Sequence, residues 1–131
     1  MSYRWFEHAA ELEPEIEASS EEGVFADALR ALAEPLDGGR GAGCVSREVR
    51  ISGPERAVQL AEWLDELVYL AETESLIAGD VERIELSDSG VEAIRQCRRG
   101  DPRHLVKVAT YDRLAFERVG GFSRARVVLD V

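Results

Sequence analysis

Carboxylates stand near both ends of the sequence. Glu11 closes the segment HAAE that begins at His8, and Asp130 precedes Val131, whose α-carboxylate would add a third acid. If the fold brings Glu11 against the last strand, three carboxylates converge, and like charges that close call for a cation or a lysine. Lys107, the only lysine beside fifteen arginines, is the candidate. The alternative is a solvated glutamate at a strand end and a polar end of an edge strand.

Other site chemistries find little support in the residues. A zinc or transition-metal site needs several histidines and cysteines, and the chain has only His8, His104, Cys44 and Cys97. Neither cysteine has a sequence context that marks an activated nucleophile. Oxygen ligands are abundant, so Ca²⁺ or Mg²⁺ is the expected kind of metal, although no twelve-residue EF-hand loop occurs.

The composition narrows the class of protein. The 131 residues carry a net charge of −10, which disfavours strong binding to nucleic acid phosphates. Residues 1–22 carry −6 and residues 95–126 carry +6, which predicts either two solvated faces that attract each other or a polarised molecule. No apolar run is long enough to span a bilayer and no secretion signal is present, so we expect a cytoplasmic protein with reduced thiols and no membrane partner.

Two helices are predicted. The first begins with the caps and acids of SSEE at residues 19–22, ends at Pro35, and buries one stripe made of Val24, Phe25, Ala28, Leu29 and Leu32. The second opens at residues 53–55 with Pro54 in its first position. Its broader stripe comprises Val58, Leu60, Ala61, Trp63, Leu64, Leu67, Val68, Leu70 and Ala71.

The other segments are predicted to be strands, except residues 38–43, whose glycine-rich composition predicts a flexible loop. Strands are expected at 3–8, 15–18, 45–51, 81–86, 91–97, 105–111 and 125–129, with hairpin turns at 88–90 and 120–121. The order β-β-α-β-α-β-β-β-β predicts one α+β domain over residues 1–131. Its expected architecture is a mostly antiparallel sheet of about six or seven strands with two helices packed on one face.

Five segments, in order along the chain, resemble the archease family, small proteins that assist the GTP-dependent tRNA-splicing RNA ligase. YRWFEHAAEL at 3–12 is similar to the family's opening Phe/Leu-Glu-His-Thr-Ala-Asp motif, and EGVFADAL at 22–29 lies where its first helix begins. AEWLDELVYL at 61–70 looks like its second helix, KVATY at 107–111 like its Lys-Ala-Val-Thr-Tyr stretch, and VVLDV at 127–131 like its final strand.

The resemblance implies a site and a function. Archeases hold a divalent cation with the Asp of the opening motif, the Asp before the terminus and the terminal residue, which map to Glu11, Asp130 and Val131; the functional lysine maps to Lys107. Ca²⁺ is expected, with Mg²⁺ or Mn²⁺ as alternatives. This sequence has Glu11 where the family has Asp, and Ala9 where it has Thr.

Three functions therefore stand as hypotheses. The first is a non-enzymatic protein cofactor that promotes guanylylation and multiple turnover of the 3′-phosphate RNA ligase, with no catalytic residue of its own. The second is a protein-binding or chaperone-like modulator of the same fold without ligase coupling. The third, a metal-dependent hydrolase, lacks a marked general base.

Overall fold

Nine elements follow one another in the predicted order of types. The computed structural model describes the backbone of residues 2–8, 11–102 and 108–130, and the side chains of residues 15–34, 43–100 and 114–127. The elements are β1 Ser2–His8, β2 Glu11–Ala18, α1 Glu21–Leu36, β3 Asp37–Ser52, α2 Arg56–Glu74, β4 Leu76–Ser87, β5 Gly90–Pro102, β6 Val108–Val119 and β7 Phe122–Asp130. The chain is thus α+β, as predicted.

The seven strands form two antiparallel sheets where the sequence predicted one. Four strands are ordered β1-β2-β7-β6 and three are ordered β3-β5-β4. The hairpins β4–β5 and β6–β7 are both local, and each joins a different earlier strand. The predicted single sheet with both helices on one face is therefore corrected to two sheets, and each helix contacts both of them. Helix α1 packs on β2 and β4, and helix α2 packs on β6 and on β3–β5.

Helix α1 begins where its cap was predicted. The Ser20 hydroxyl accepts a hydrogen bond from the backbone N–H of Gly23 at 3.0 Å, which satisfies one free donor of the first turn. All five residues of the predicted stripe are buried. The helix runs to Leu36, one residue beyond Pro35, a difference within the one or two residues by which helix ends vary.

Helix α2 starts two residues later than predicted. Arg56 is its first residue and Glu55 its N-cap, so the prediction of Pro54 as the first helical residue is wrong. Its buried side is broad, and Trp63, Leu64 and Leu67 are all at most 1% exposed. Neither α1 nor α2 is long and apolar enough to cross a membrane.

The two helices meet in an aromatic contact at the centre of the core. The rings of Phe25 and Trp63 are 5.6 Å apart at 82°, an edge-to-face arrangement. The indole N–H of Trp63 donates to the carbonyl of Phe25 at 3.0 Å, so the buried polar atom is satisfied. Phe116 from β6 extends the cluster, with its ring 6.0 Å from that of Phe25. The core therefore joins both helices to the four-stranded sheet.

The predicted loop over residues 38–43 is wrong, because these residues continue strand β3. Gly41 pairs with Gly100 and Ala42 with Arg99 of β5, and the register shifts on either side of them. Gly43 has φ 82°, in the left-handed region that favours glycine. A glycine in that conformation is typical of a β-bulge, so the glycines here bend a strand and do not interrupt it.

Candidate functional site

At the predicted site, directly paired residues form one row across the four-stranded sheet. His8 of β1 pairs with Glu11 of β2, Glu11 pairs with Asp130 of β7, and Asp130 pairs with Val108 of β6. We call His8, Glu11, Asp130 and Val108 the end row. Glu11 is the first residue of β2, not the end of β1, and β2 is the strand that adjoins β7. The backbone thus sets the two predicted acids directly opposite each other.

Two further predicted residues border the end row in sequence. Lys107 immediately precedes Val108, and Val131 immediately follows Asp130. Both lie outside the described residues, and the side chains of Glu11 and Asp130 lie outside them as well. Their roles as ligands and as the activating lysine therefore remain predictions. His8 was not among the predicted ligands; its place in the row follows from the β1–β2 hairpin, which the segment HAAE could have suggested.

The pairing of Glu11 with Asp130 differs from its neighbours on the same two strands. Along β2 and β7, Glu15 is opposite Arg126 and Glu17 is opposite Arg124. Glu15 lies 3.6 Å from the Arg126 guanidinium, so that pair is an ion pair. Opposite charges directly across a sheet stabilise it and like charges destabilise it. Glutamates of β2 therefore face arginines of β7 at these two positions, whereas in the end row Glu11 faces another acid, Asp130.

The pairing of glutamates on β2 with arginines on β7 explains the uneven distribution of charge along the sequence. The acidic N-terminal segment lies beside β7, one of the strands of the basic segment, which supports the prediction of two faces that attract each other. The Arg124 guanidinium also binds Glu117 of β6, with Nε 3.0 Å from the carboxylate oxygen. That interaction raises the pKa of Arg124.

The described side chains form no cluster that could hold a metal ion. In residues 15–34, 43–100 and 114–127, no three His, Cys, Asp or Glu side chains converge closely enough to hold an ion. The side chains of the end row lie outside these ranges. The end row therefore stands as the candidate site on its backbone register alone.

A buried arginine is the main polar feature that the sequence analysis missed. Arg95 of β5 is fully buried, and its Nη2 donates to the carbonyl of Trp63 at 2.7 Å. Its Nε and Nη1 have no hydrogen-bond partner within the described structure. Burial lowers the pKa of Arg95 to about 10, and the field of Glu66 opposes that shift. The alternation of Val91, Ala93, Arg95 and Cys97 on the core face of β5 was the signal that could have located it.

A second buried charge, Asp27 of α1, is linked through Arg30 to Asp80 of β4. Asp27 is 5% exposed, and its Oδ1 accepts from Arg30 at 2.9 Å. The same guanidinium donates to Asp80 at 2.8 Å, which lowers the pKa of the Asp80 carboxyl. The Oδ2 of Asp27 is buried without a partner among the described groups. Arg30 therefore compensates a carboxylate that water does not reach.

The buried cysteine is not an activated thiol of the kind that catalysis would use. Cys97 is buried, and burial raises the pKa of its thiol. A raised pKa keeps it protonated and unreactive near neutral pH. Cys44 is exposed on β3. Neither cysteine forms a disulfide in the structure.

Comparison with known proteins assigns the fold and the family. Residues 3–131 match the model of the Archease protein family (MTH1598/TM1083). The archease of Archaeoglobus fulgidus is 31% identical over the whole of both chains. The archease of Methanosarcina mazei is 27% identical over 98% of this chain and 95% of its own.

Solved structures share the same fold. The solution structure of Methanobacterium thermoautotrophicum protein 1598 superposes with a TM-score of 0.72 at 23% identity, and covers 98% of each chain. The crystal structure of an archease from Thermotoga maritima, described as a possible chaperone, gives a TM-score of 0.70 at 22% identity over 96% of this chain and 94% of its own. The family match spans nearly the whole chain, and this chain belongs to the archease family.

Proposed function

We propose that this chain is a protein cofactor that activates a GTP-dependent 3′-phosphate RNA ligase in tRNA splicing or RNA repair, acting in the cytoplasm. The proposal rests on membership of the archease family and on one observation, the backbone pairing of Glu11 with Asp130. Elsewhere on the same strands, glutamates face arginines. Two acids directly opposite each other destabilise a sheet unless a cation or a basic side chain binds them.

A divalent cation suits these residues. Glu11, Asp130 and the Val131 α-carboxylate would hold it, and carboxylate oxygens are the donors that Ca²⁺ and Mg²⁺ prefer. Directly opposite positions of an antiparallel pair are neighbours on one face of a sheet, a relationship that supports Glu11 and Asp130 as ligands of one ion. The longer Glu11 side chain still supplies a carboxylate. When bound, the cation would supply positive charge that neutralises the acids and attracts phosphate groups of the partner's substrates.

Lys107 would supply a second positive group beside the acids. It precedes the residue that pairs with Asp130, and it is the only ammonium in a chain that otherwise uses arginine. An ammonium is a compact, strongly hydrated point charge, whereas a guanidinium is a planar fork. We infer that this site needs the compact charge, for contact with the ligase during guanylylation.

The chain itself acts without catalysis in this proposal. Its two histidines and the raised pKa of Cys97 give little support for a nucleophile or a general base. The proposed role is to help the ligase take up GTP and metal through many turnovers. Direct strong binding of RNA is not part of it, because the net charge is −10.

The second candidate is a chaperone-like modulator without ligase coupling. It is favoured by the description of the Thermotoga maritima archease as a possible chaperone. The two candidates differ in what they need, because a ligase activator requires the acids and Lys107, whereas a general chaperone relies on apolar surface. Only two large apolar side chains, Tyr69 and Phe122, are exposed in the part of the chain whose side chains are described.

Ligation of a 3′-phosphate RNA by the ligase from the same source, with and without this protein, tests the proposal. We expect this protein to convert single turnover into multiple turnover and to increase ligase guanylylation. Lys107→Ala and Lys107→Arg should both abolish the stimulation, while Arg118→Ala, an exposed cation on β6, should retain it. Equal ligation with and without this protein would refute ligase activation. Full stimulation by Lys107→Arg would refute the role of the lysine.

A further inference from the structure

The end row contains a third residue of a type that binds metal ions, besides its two acids. His8 of β1 is directly opposite Glu11 of β2, and Glu11 is directly opposite Asp130 of β7. Only two residues separate His8 from Glu11 in the chain, so this pair closes the β1–β2 hairpin, and so short a connection fixes its register. Directly opposite residues are neighbours on one face of a sheet. A histidine and two acids therefore occupy adjacent positions on three adjacent strands.

The row through Glu15, on the same three strands, is a matched comparison. There Arg4 of β1 and Arg126 of β7 lie opposite Glu15 on either side. The Arg126 guanidinium is 3.6 Å from the Glu15 carboxylate. A guanidinium stays protonated and has only donors, so it can neutralise an acid but cannot bind a metal ion. In the end row, His8 and Asp130 take the places of these two arginines, and both residue types are common metal ligands.

A histidine changes which ion the row suits. Carboxylates alone suit Ca²⁺ and Mg²⁺, which take oxygen ligands. An imidazole nitrogen favours first-row transition ions, among which Zn²⁺ binds more tightly than Mn²⁺. Neighbouring strands are about 4.8 Å apart, so the backbones of His8 and Asp130 are about 10 Å apart across Glu11. With metal–ligand bonds of about 2 Å, two side chains and an ion between them can bridge that span.

We propose that His8 is a further ligand of the ion in the end row, and that it makes the site select a transition-metal ion over Ca²⁺. The inference rests on the proposed function, which places a divalent cation between Glu11 and Asp130. It adds a nitrogen donor to that set and changes the expected ion. The carboxylates supply the other ligands, so a site of this kind does not need the several histidines and cysteines of a structural zinc site.

Titration calorimetry of the untagged, metal-free protein with Zn²⁺, Mn²⁺ and Ca²⁺ tests this proposal. The parent should bind Zn²⁺ most tightly and Ca²⁺ least tightly. His8→Ala should raise the Kd for Zn²⁺ at least about tenfold, because even the loss of a group that only orients a ligand has an effect of that size. Its Kd for Ca²⁺ should change little. The controls are His104→Ala, at the only other histidine, and Cys44→Ser, at the exposed thiol. Both should bind all three ions like the parent.

Nuclear magnetic resonance of the histidine ring nitrogens gives a readout that needs no variant to fold. The chain has two histidines, so ¹⁵N-labelled protein gives two sets of ring signals, and His104→Ala assigns them. Saturating Zn²⁺ should shift the ring nitrogens of His8 and leave those of His104 in place. Thermal melts of metal-free parent and His8→Ala then separate a loss of binding from a loss of folding.

The outcomes separate this inference from the proposed function. Unmoved His8 signals in Zn²⁺-saturated protein, or equal binding of Zn²⁺ and Ca²⁺ by the parent, would overturn the role of His8. A shift of the His104 signals alone would overturn it as well. If the parent still stimulates ligation in any of these cases, the proposed function stands. Zn²⁺ binding through His8 without stimulation of the ligase would overturn the proposed function and leave the histidine ligand.

Discussion

The guanidinium of Arg95 lies over the indole ring of Trp63, with Cζ 4.1 Å from the ring centroid, and it also binds the carbonyl of the same residue. One residue of α2 thus holds a buried cation of β5 from two sides. Cation–π stacking and one hydrogen bond offset part of the desolvation of the guanidinium, but two of its nitrogens have no hydrogen-bond partner among the described residues.

Replacing this arginine with an apolar side chain should be tolerated. We expect Arg95→Met to leave the free energy of unfolding unchanged or to raise it by up to about 4 kcal/mol, because the substitution removes an incompletely paired buried charge. Urea denaturation at pH 7 measures the change. Arg95→Lys is the control: it keeps a charge, loses the planar stack and should be less stable than either. A loss of more than about 2 kcal/mol in Arg95→Met would show that the guanidinium is a net stabiliser.

Arg30 should stabilise the fold because it pairs with the buried carboxylate of Asp27. Arg30→Met leaves Asp27 buried without its partner, so we expect a loss of about 1–3 kcal/mol in the free energy of unfolding. Arg50→Met is the matched control, because Arg50 and its partner Glu48 are both exposed and such pairs contribute little. Equal stability of the two variants would mean that water reaches Asp27.

The same bridge predicts a pH dependence. Arg30 lowers the pKa of Asp80 in the folded state, so the ionised Asp80 stabilises the fold above the pKa of an unfolded aspartate. That contribution is lost as pH falls through the lowered value, below about pH 4. In Asp80→Asn this part of the acid-induced loss should be absent, as seen in unfolding midpoints between pH 2 and pH 7. A parent and variant with parallel pH profiles would contradict the assignment. The effect should be small because Asp80 is about half exposed.

The two thiols should react at very different rates. Cys44 is exposed and should react with a disulfide reagent in the native protein. Cys97 is buried with a raised pKa and should react only after unfolding. Counting reactive thiols with and without denaturant, in the parent and in Cys44→Ser, checks this. Fast native labelling of Cys97 would show that the three-stranded sheet opens readily around β5, its central strand.

Binding of a divalent cation should stabilise the fold through the end row. At a hundred times its Kd the ion contributes about 2.7 kcal/mol, a melting shift of roughly 10 °C for a chain of this size. The shift should disappear in Asp130→Asn and shrink when residues are appended after Val131, since an amide then replaces the terminal carboxylate. Asp88→Asn, in the exposed β4–β5 turn, should keep it. If neither Ca²⁺, Mg²⁺ nor Mn²⁺ moves the midpoint of the untagged protein, the end row is an acidic surface without a metal.

Element order and core membership followed from the sequence because they depend on local periodicity. Phe25, Leu29, Trp63, Leu64 and Leu67 repeat at helical spacing, and all are buried. The division into two sheets did not follow, because two local hairpins look alike whichever earlier strand they join. The glycines of β3 read as a loop, since a bulged strand and a flexible loop share the same composition.

The candidate site was predictable only in part. The carboxylates near both ends of the sequence pointed to Glu11 and Asp130, the family resemblance then mapped ligands onto them, and the register places them opposite each other. The contrast with Glu15 opposite Arg126 could not be seen without that register. Arg95 was missed because composition treats arginine as a surface residue, although its place in the alternation of β5 assigned it to the core.

The pairing of Glu11 with Asp130 also has a consequence for folding. The hairpins β4–β5 and β6–β7 can form from neighbouring residues, whereas β2 must wait for β7, which comes last in the described chain. Closing so long a loop is entropically costly and slow compared with local pairing. A partially folded chain would contain both acids but would not hold them together. A partner that recognises the acid pair therefore distinguishes molecules that have completed folding from those that have not.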